Sequence, residues 1–314
     1  MHPFPGDVRP IEELLRHVFP DVPTQIERVE EGMSTYVYRI KYRQETFYLR
    51  ILPEGGASFA PEVAIHTRLR QMQIHVPEVV YFDHYHPTLQ RSVMITTEIK
   101  GQPVSRSAPL NRHNMSRVLR DAGRELAQIN RIDVDGFGWV ERDRADTTHL
   151  QAECSSHRAF MLEYWQADLA YLARSTLPAR TIAALERLLS QHASWLDVEQ
   201  GCLAHGDLDT THIYQHHGQY SGIIDFGEMR GASCWYDLGH FHMRDGEQLP
   251  YHLLAELLRG YGEVVQLPAD YGQHIRFTSI LINVRTLARS LQKRPPNSYT
   301  QHQLKVLHED LAML

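Results

Sequence analysis

The sequence predicts an α+β protein with two lobes, a smaller lobe built on an antiparallel sheet and a larger, mostly helical lobe. Two observations carry this prediction: strand-type patterns are concentrated before residue 100, and helix-type spacing of apolar residues dominates after residue 111. The chain has 314 residues, which at roughly 150 residues per domain allows about two domains. We therefore expect one lobe over residues 1–100 and a second over residues 101–314.

The first lobe begins with a predicted short helix over residues 11–19. Three β segments follow within residues 25–53. Alternation in residues 36–40 and a polar turn at residues 43–45 predict a hairpin. A small antiparallel sheet therefore starts the protein.

One main helix is expected to interrupt this sheet. Pro61 stands where a helix can begin, and an apolar stripe ends before Pro77. Two more strands are predicted at residues 79–82 and 92–97. The break at residues 100–103 then marks the boundary of the lobe.

The second lobe is predicted to be mostly helical. Residues on one face of its first helix recur at helical spacing: Met115, Val118, Leu119, Ala122, Leu126 and Ile129. Residues 201–227 interrupt the helices with short apolar runs and turn residues, which indicates a loop and a small hairpin.

Composition excludes several classes of protein. The 42% hydrophobic and 22% charged fractions are those of a globular chain, and the net charge of -6 gives no broad electrostatic reason to bind nucleic acid or an anionic membrane. Cys154, Cys202 and Cys234 lack CxxC spacing, so neither a disulfide framework nor a zinc site is indicated. We expect a cytoplasmic protein, because no signal peptide or membrane span is recognisable.

The most informative residues lie in two short motifs. His205, Gly206 and Asp207 are followed by His212 five positions after the aspartate, and an Ile-Asp-Phe-Gly motif containing Asp225 comes shortly afterwards. Taken singly, these residues have simpler interpretations. Asp207 could be a turn or N-cap residue, Asp225 a carboxylate at a strand end, and His212 one of 20 ordinary histidines.

Together the two motifs resemble the catalytic and metal-binding loops of the aminoglycoside phosphotransferase and choline kinase superfamily, which is related to protein kinases. Residues 31–39 resemble the phosphate-covering loop of that family, residues 47–50 its third strand, and residues 236–239 its structural aspartate motif. The resemblance spans most of the chain and implies a bilobal protein-kinase-like fold.

The resemblance implies that Asp207 is the catalytic base, with His205 and Gly206 shaping the loop around it. Asp225 would bind Mg²⁺. His212 stands where the superfamily usually has asparagine, although aminoglycoside 2″-phosphotransferases and macrolide 2′-phosphotransferases also resemble users of histidine there. A metal-binding His212 is therefore expected, with a softer divalent ion or weakened activity as alternatives.

The resemblance also implies a nucleotide site. Arg50 would replace the usual lysine at the phosphates and pair with Glu62. The other expected nucleotide contacts are Gly32, Ser34 and Thr35 at the phosphates and Thr97 and Ile99 at the base. Asp237 would steady the catalytic loop. The alternatives are an exposed strand cation for Arg50, a plain turn around Gly32 and an acid at a helix N-terminus for Asp237.

Several other enzyme classes are excluded by missing motifs. The sequence has no GxxxxGK[ST], GxSxG, HExxH or GxGxxG motif. No Ala-Pro-Glu follows Asp-Phe-Gly, so a protein substrate is disfavoured.

The sequence thus predicts a phosphotransferase that moves the γ-phosphate of ATP or GTP, with Mg²⁺, to a hydroxyl of a small molecule. The acceptor is expected against residues 160–172 and the helices after Asp237. Acidic candidates for contact with a cationic acceptor such as an aminoglycoside are Glu163, Asp168, Glu228, Asp245 and Glu247. Each of them could equally be a solvated surface acid.

Two alternatives remain open at this stage. One is a nucleotide-binding module without transfer activity, in which His212 and Arg50 mark loss of the catalytic set. The other is a housekeeping kinase for a sugar, amino alcohol or nucleoside. The motifs do not determine the acceptor or the oligomeric state, because the acceptor site lies in the variable helical lobe.

Overall fold

The computed structural model describes residues 9–21, 23–29, 35–107, 111–143 and 149–314. The chain forms two compact units. The first comprises Met1–Lys100, Glu141–Leu150 and Ser221–Gly227, and the second Gly101–Val140, Gln151–Tyr220 and Glu228–Leu314. Two short segments from the later part of the sequence therefore belong to the first unit.

The first unit is an antiparallel sheet with two helices, the longer of which is the expected main helix. In chain order its elements are α1 (Arg9–Val18), β1 (Gln25–Val29), β2 (Tyr36–Tyr42), β3 (Glu45–Ile51), α2 (Ala60–Gln71), β4 (Val79–His86) and β5 (Arg91–Thr97). The strand order is β1-β2-β3-β5-β4, with every described pair antiparallel. The predicted fold class is confirmed for this part of the chain.

Strand alternation decides what each face of this sheet does. Leu49 and Ile51 of β3 are buried in an apolar core that also contains Ile11 and Leu14 of α1. Arg50, between them in sequence, points to the opposite face because successive side chains of a strand alternate. There its guanidinium meets Glu62 of α2.

The second unit is mostly helical. The elements after residue 101, in chain order, are β6 (Gln102–Pro103), α3 (Arg112–Ile129), β7 (Asp133–Val134), β8 (Phe137–Val140), β9 (Ala152–Cys154), α4 (His157–Leu162), α5 (Trp165–Ser175), α6 (Ala179–Gln191), β10 (Gly201–Ala204), β11 (Ile213–His216), β12 (Gln219–Ile223), β13 (Arg230–Ala232), α7 (Tyr236–Arg244), α8 (Leu254–Tyr261), α9 (Tyr271–Lys293) and α10 (Ser298–Met313). Of these, β12 extends into the segment that belongs to the first unit. The six apolar residues predicted to face the core from α3 are all buried.

A second five-stranded sheet lies among these helices and was not predicted. Its order is β7-β10-β13-β8-β9. These strands are two to four residues long, which is too short to establish an alternating pattern. Their hydrogen-bond partners come from distant segments, such as Cys202 with Ala232, so only the folded chain defines them.

Two properties bear on the protein's environment. All three cysteines are free thiols. Within the described ranges, none of the helices combines the length and the hydropathy needed to cross a bilayer.

Helices α3 and α8 approach so closely that a side chain at Gly260 has no room. A Cβ there would lie 1.8 Å from the Arg120 carbonyl oxygen. We expect Gly260→Ala to lower the free energy of unfolding by about 1–3 kcal/mol, measured by urea denaturation. Gly272→Ala is the matched control, because its nearest neighbour would be a flexible Arg276 nitrogen at 3.5 Å. Equal stability of the two variants would contradict the close approach.

His157 in α4 is predicted to make stability depend on pH. It is 3% exposed and packs on the Phe137 ring, and burial lowers its pKa to about 4. The unfolded chain, with a histidine pKa near ~6.5, then binds an extra proton between these two values. Stability should fall by about 3 kcal/mol as pH decreases through that window. Urea denaturation at several pH values should show a smaller dependence for His157→Phe, and an unchanged dependence would refute the assignment.

Candidate active site

The loop after β10 is held by one buried carboxylate. Asp237, in the first turn of α7, is 0% exposed. Its oxygens accept hydrogen bonds from the His205 and Gly206 backbone N–H groups, both at 2.9 Å, and from the Asn130 amide at 3.0 Å. The Asn130 amide also donates to the Leu203 carbonyl at 2.8 Å. The carboxylate thus ties the loop, the strand before it and the end of α3 together.

Gly206 allows the loop to turn at this point. Its φ is 88°, in the left-handed region that favours glycine, and a Cβ there would lie 1.9 Å from the Glu228 carbonyl oxygen. Glycine fits here because it adopts this φ readily and has no Cβ to clash with that carbonyl. The side chain of the next residue, Asp207, is consequently directed out of the loop and is 45% exposed.

Two histidines define the surroundings of Asp207. The buried His205 ring accepts a hydrogen bond through Nδ1 from the Asp207 backbone N–H at 3.3 Å. This contact helps to hold the backbone of the loop in place. His240 of α7 places Nε2 3.3 Å from Asp207 Oδ1. Its Nδ1 lies 3.1 Å from the Leu208 carbonyl, which can only accept, and this contact fixes the ring.

His212 is oriented in the same way. Its Nδ1 lies 2.6 Å from the Asp207 carbonyl oxygen, so Nδ1 carries the hydrogen and Nε2 has the lone pair that a metal ligand needs. Ligand atoms of Asp207, Asp209 and His212 all lie within 4.8 Å of one another. This donor set fits a divalent cation.

Asp209 is already engaged by protein groups. Its oxygens accept hydrogen bonds from the Thr211 N–H at 2.7 Å and from Arg244 Nε at 3.1 Å. Burial alone would raise the pKa of Asp209, but His212, Arg244 and Thr211 outweigh burial and lower it. Asp209 is therefore an anchor of the loop, which leaves His212 as the better candidate ligand.

The first unit contains the predicted nucleotide residues. Arg50 donates to Glu62, and its Nη2 lies 3.5 Å from Asp225 Oδ1. Burial opposes the charge of Arg50, but the Glu62 and Asp225 carboxylates outweigh that effect and raise its pKa. The sequence-based alternative of an exposed strand cation does not apply, since the side chain of Arg50 is only 12% exposed.

Asp225 has a backbone conformation that few residues adopt. Its φ is 67°, and its carboxylate accepts a hydrogen bond from the Gly227 N–H at 3.4 Å. Phe226 is buried and meets the His66 ring edge-on, with centroids 5.5 Å apart. Arg142 donates to the Gly227 carbonyl. The contacts of the two residues that follow Asp225 thus help to hold its backbone in a conformation that costs free energy.

The structure describes only some of the other residues that we predicted to contact the nucleotide. Gly32 and Ser34 lie outside the described residues, and Thr35 is buried immediately before β2. The Thr97 N–H donates to the Glu78 carbonyl at 2.9 Å, so it is not offered to a base. Ile99 lies two residues after the end of β5.

The second unit contains a cavity of about 770 Å³ that opens beside Asp207. It is lined by residues of the predicted acceptor segment, from Phe160 to Asp168, and by residues of α7 and α9. Glu163, Asp168 and Glu228 are among its acidic residues.

Two predicted acidic contacts have other partners. Asp245 is buried and accepts hydrogen bonds from the Leu253 and Leu254 N–H groups at the start of α8. Glu247 pairs with Arg244 at 2.8 Å. Neither is among the described residues that line this cavity, and their contact with an acceptor stays a prediction.

The residues of this cavity that sequence reasoning missed include His240, Arg230 and Arg285. Arg230 lies between the rings of Trp139 and Tyr236, and Arg285 pairs with Asp168. None belongs to a motif that we recognised. Their nearness to Asp207 arises from packing of α7, α9 and β13, which local patterns do not report.

The model of the phosphotransferase enzyme family matches residues 25–274, and the chain belongs to this family. No curated protein sequence shows a significant match.

Solved aminoglycoside phosphotransferases have the same fold. An apo thermostable mutant of APH(4)-Ia is 15% identical, with a TM-score of 0.70 over 96% of this chain and 98% of that chain. Its ternary complex with AMP-PNP and hygromycin B gives 0.69 at 15% identity, over 96% and 98%. The GDP and kanamycin complex of APH(2″)-IIIa gives 0.62 at 15% identity, over 98% and 99%.

Removal of the Asp237 carboxylate should destabilise the second unit. Asp237→Ala leaves the His205, Gly206 and Asn130 donors without their acceptor, and we expect a loss of about 3–5 kcal/mol in urea denaturation. Asp197, 61% exposed and paired with Arg158, is the control. Asp197→Ala should cost less than about 1 kcal/mol. Similar losses in both variants would show that the carboxylate does not hold the loop.

Proposed function

We propose that this protein transfers the γ-phosphate of ATP or GTP to a hydroxyl group of a small molecule, in the cytoplasm. The observation that carries the proposal is the arrangement around Asp207: an exposed carboxylate on a rigid loop, beside a cavity of about 770 Å³. Family membership supports the reaction class. The acceptor and the choice of nucleotide belong to the proposal.

Asp207 would accept the proton of the acceptor hydroxyl. Phosphoryl transfer passes through a loose transition state, so the main tasks are to orient the hydroxyl and to stabilise the phosphate charge. His240 Nε2 lies 3.3 Å from Oδ1 of Asp207, and Oδ2 is the oxygen proposed to meet the hydroxyl. His205 and Asp237 hold the backbone on which the carboxylate is mounted.

The phosphates would be bound by Arg50, whose fixed charge and forked N–H groups suit phosphate oxygens. Glu62 holds that guanidinium in place. Mg²⁺ would shield the phosphate charge when it is bound. Asp225 and His212 are the residues proposed to hold it, through a carboxylate oxygen and an imidazole nitrogen.

A nucleotide-binding module without transfer activity is the second candidate. His212 favours it, because imidazole is a poorer ligand for Mg²⁺ than the amide of asparagine. The hydrogen bonds that hold the loop of Asp207 support the active enzyme, since a site without transfer activity has no need for an oriented carboxylate.

Nucleoside diphosphate release tests the proposal. ATP and GTP would be incubated with Mg²⁺ and a panel of aminoglycosides, macrolides, sugars and amino alcohols. We expect at least one acceptor to stimulate release, and Asp207→Asn to lower the stimulated rate at least about 100-fold without changing the KM for nucleotide. Asp197→Asn, at an exposed position, is the control and should retain full activity.

The alternative makes a different prediction in the same assay. A binding module would be stabilised thermally by nucleotide yet show no stimulated release with any acceptor. His212→Asn would then be assayed. Activity gained by this variant would place the defect at the metal ligand, and continued inactivity would reject the phosphotransferase.

A further inference from the structure

The cavity beside Asp207 contains arginines as well as acidic residues. Its ionisable lining comprises Glu153, Glu163, Asp168, Asp207, Glu228, Arg230, Arg285, Arg289 and His240. A cavity for a polycationic acceptor would need acidic groups without positive neighbours. The partners of each charge therefore indicate which acceptor fits.

Most acidic groups are engaged by the cavity wall. Glu228 pairs with Arg230 at 3.1 Å. Glu153 accepts a hydrogen bond from the Trp139 N–H at 3.4 Å. Glu163 lies close enough to Tyr164 to raise the pKa of that phenol. Each of these three carboxylates therefore already has a neighbour in the protein.

Arg230 is part of the wall. Its guanidinium lies 4.2 Å from the centre of the Trp139 ring and 5.0 Å from that of Tyr236. The side chain is 11% exposed, and Glu228 compensates its charge. It supports the two rings and has little surface for a ligand.

Arg285 is fixed at one edge and open at the other. Nη1 donates to both carboxylate oxygens of the buried Asp168, at 3.1 and 3.2 Å. The guanidinium lies 3.7 Å from the centre of the Tyr164 ring, which holds its plane. The side chain remains 35% exposed, and its Nε and Nη2 make no hydrogen bond within the described residues.

Arg289 lies one helical turn further along α9, on the same face as Arg285. It is exposed, and within the described part of the chain it forms no ion pair. Burial raises the pKa of Asp168. The positive charges of Arg285 and, more weakly, Arg289 act against that rise. Two guanidinium groups therefore lie near Asp168 at this wall, and the one from Arg289 is exposed.

We propose that the acceptor carries an anionic group, a carboxylate or a phosphate, which Arg285 and Arg289 bind while a hydroxyl of the same molecule meets Asp207. The proposal rests on the proposed phosphotransferase function. Planar guanidinium groups donate paired hydrogen bonds to such anions. The exposed faces of Trp139 and Tyr164 would pack against the carbon skeleton of the acceptor.

Matched ligands test this inference by binding, without turnover. Titration calorimetry on the full chain would compare D-glucuronate and D-glucose 6-phosphate with neutral D-glucose, and with the polycation kanamycin. We expect one anionic ligand to bind at least about ten-fold more tightly than glucose and more tightly than kanamycin. The two anionic arms separate carboxylate from phosphate recognition.

Variants identify the groups responsible. Arg289→Gln should weaken binding of the anionic ligand about five-fold or more, without affecting glucose. Arg285→Lys keeps a positive charge beside Asp168. It should also weaken binding of the anionic ligand, because lysine lacks the paired N–H groups of a guanidinium. Arg187→Gln, on the exposed face of α6 and outside the cavity lining, is the matched control and should change nothing.

The outcomes separate this inference from the proposed function. Tighter binding of kanamycin, equal binding of glucose and both anions, or no measurable binding of either anion would overturn the anionic acceptor. Failure of every acceptor to stimulate diphosphate release, with the anion preference intact, would instead overturn the phosphotransferase alone.

Discussion

The buried carboxylate of Asp237 is the interaction on which the arrangement of the candidate site depends. A charged group that is fully removed from solvent must be matched by donors, and here they come from the loop after β10 and from the end of α3. These contacts leave the loop one conformation in which Gly206 turns and Asp207 projects. The position of the candidate base is therefore set by a residue thirty positions later in the chain.

Charge neutralisation is the second organising feature. Arg50 is buried against Glu62 in the first unit, and Arg244 is buried against Asp209 in the second. Burial alone would lower the pKa of each arginine, but the carboxylates nearby outweigh burial and raise it. Both arginines therefore keep their charges inside the protein. In the cavity beside Asp207, Asp168 lies near both Arg285 and Arg289. The lining of this cavity therefore combines arginines with carboxylates.

Much of the fold could be predicted because its long elements have clear periods. The strands within residues 25–53 and the buried face of α3 follow directly from apolar spacing. The sheet formed by β7, β8, β9, β10 and β13 could not be predicted, since such short strands have no period of their own. Asp207, His212, Asp225 and Asp237 could be named as candidate site residues because they lie in compact motifs with a recognisable order.

The sequence by itself determined the reaction class, the order of the long helices and strands, and the residues that lie close to the motifs. The tertiary structure alone decided which distant residues surround Asp207 and how their charges are partnered. His240 and Arg285 come from helices far along the chain from Asp207. The carboxylate of Asp245 accepts hydrogen bonds at the start of α8. The physical reason is that periodicity and motif spacing report local geometry, whereas a cavity is made by packing among segments with no sequence relation to one another.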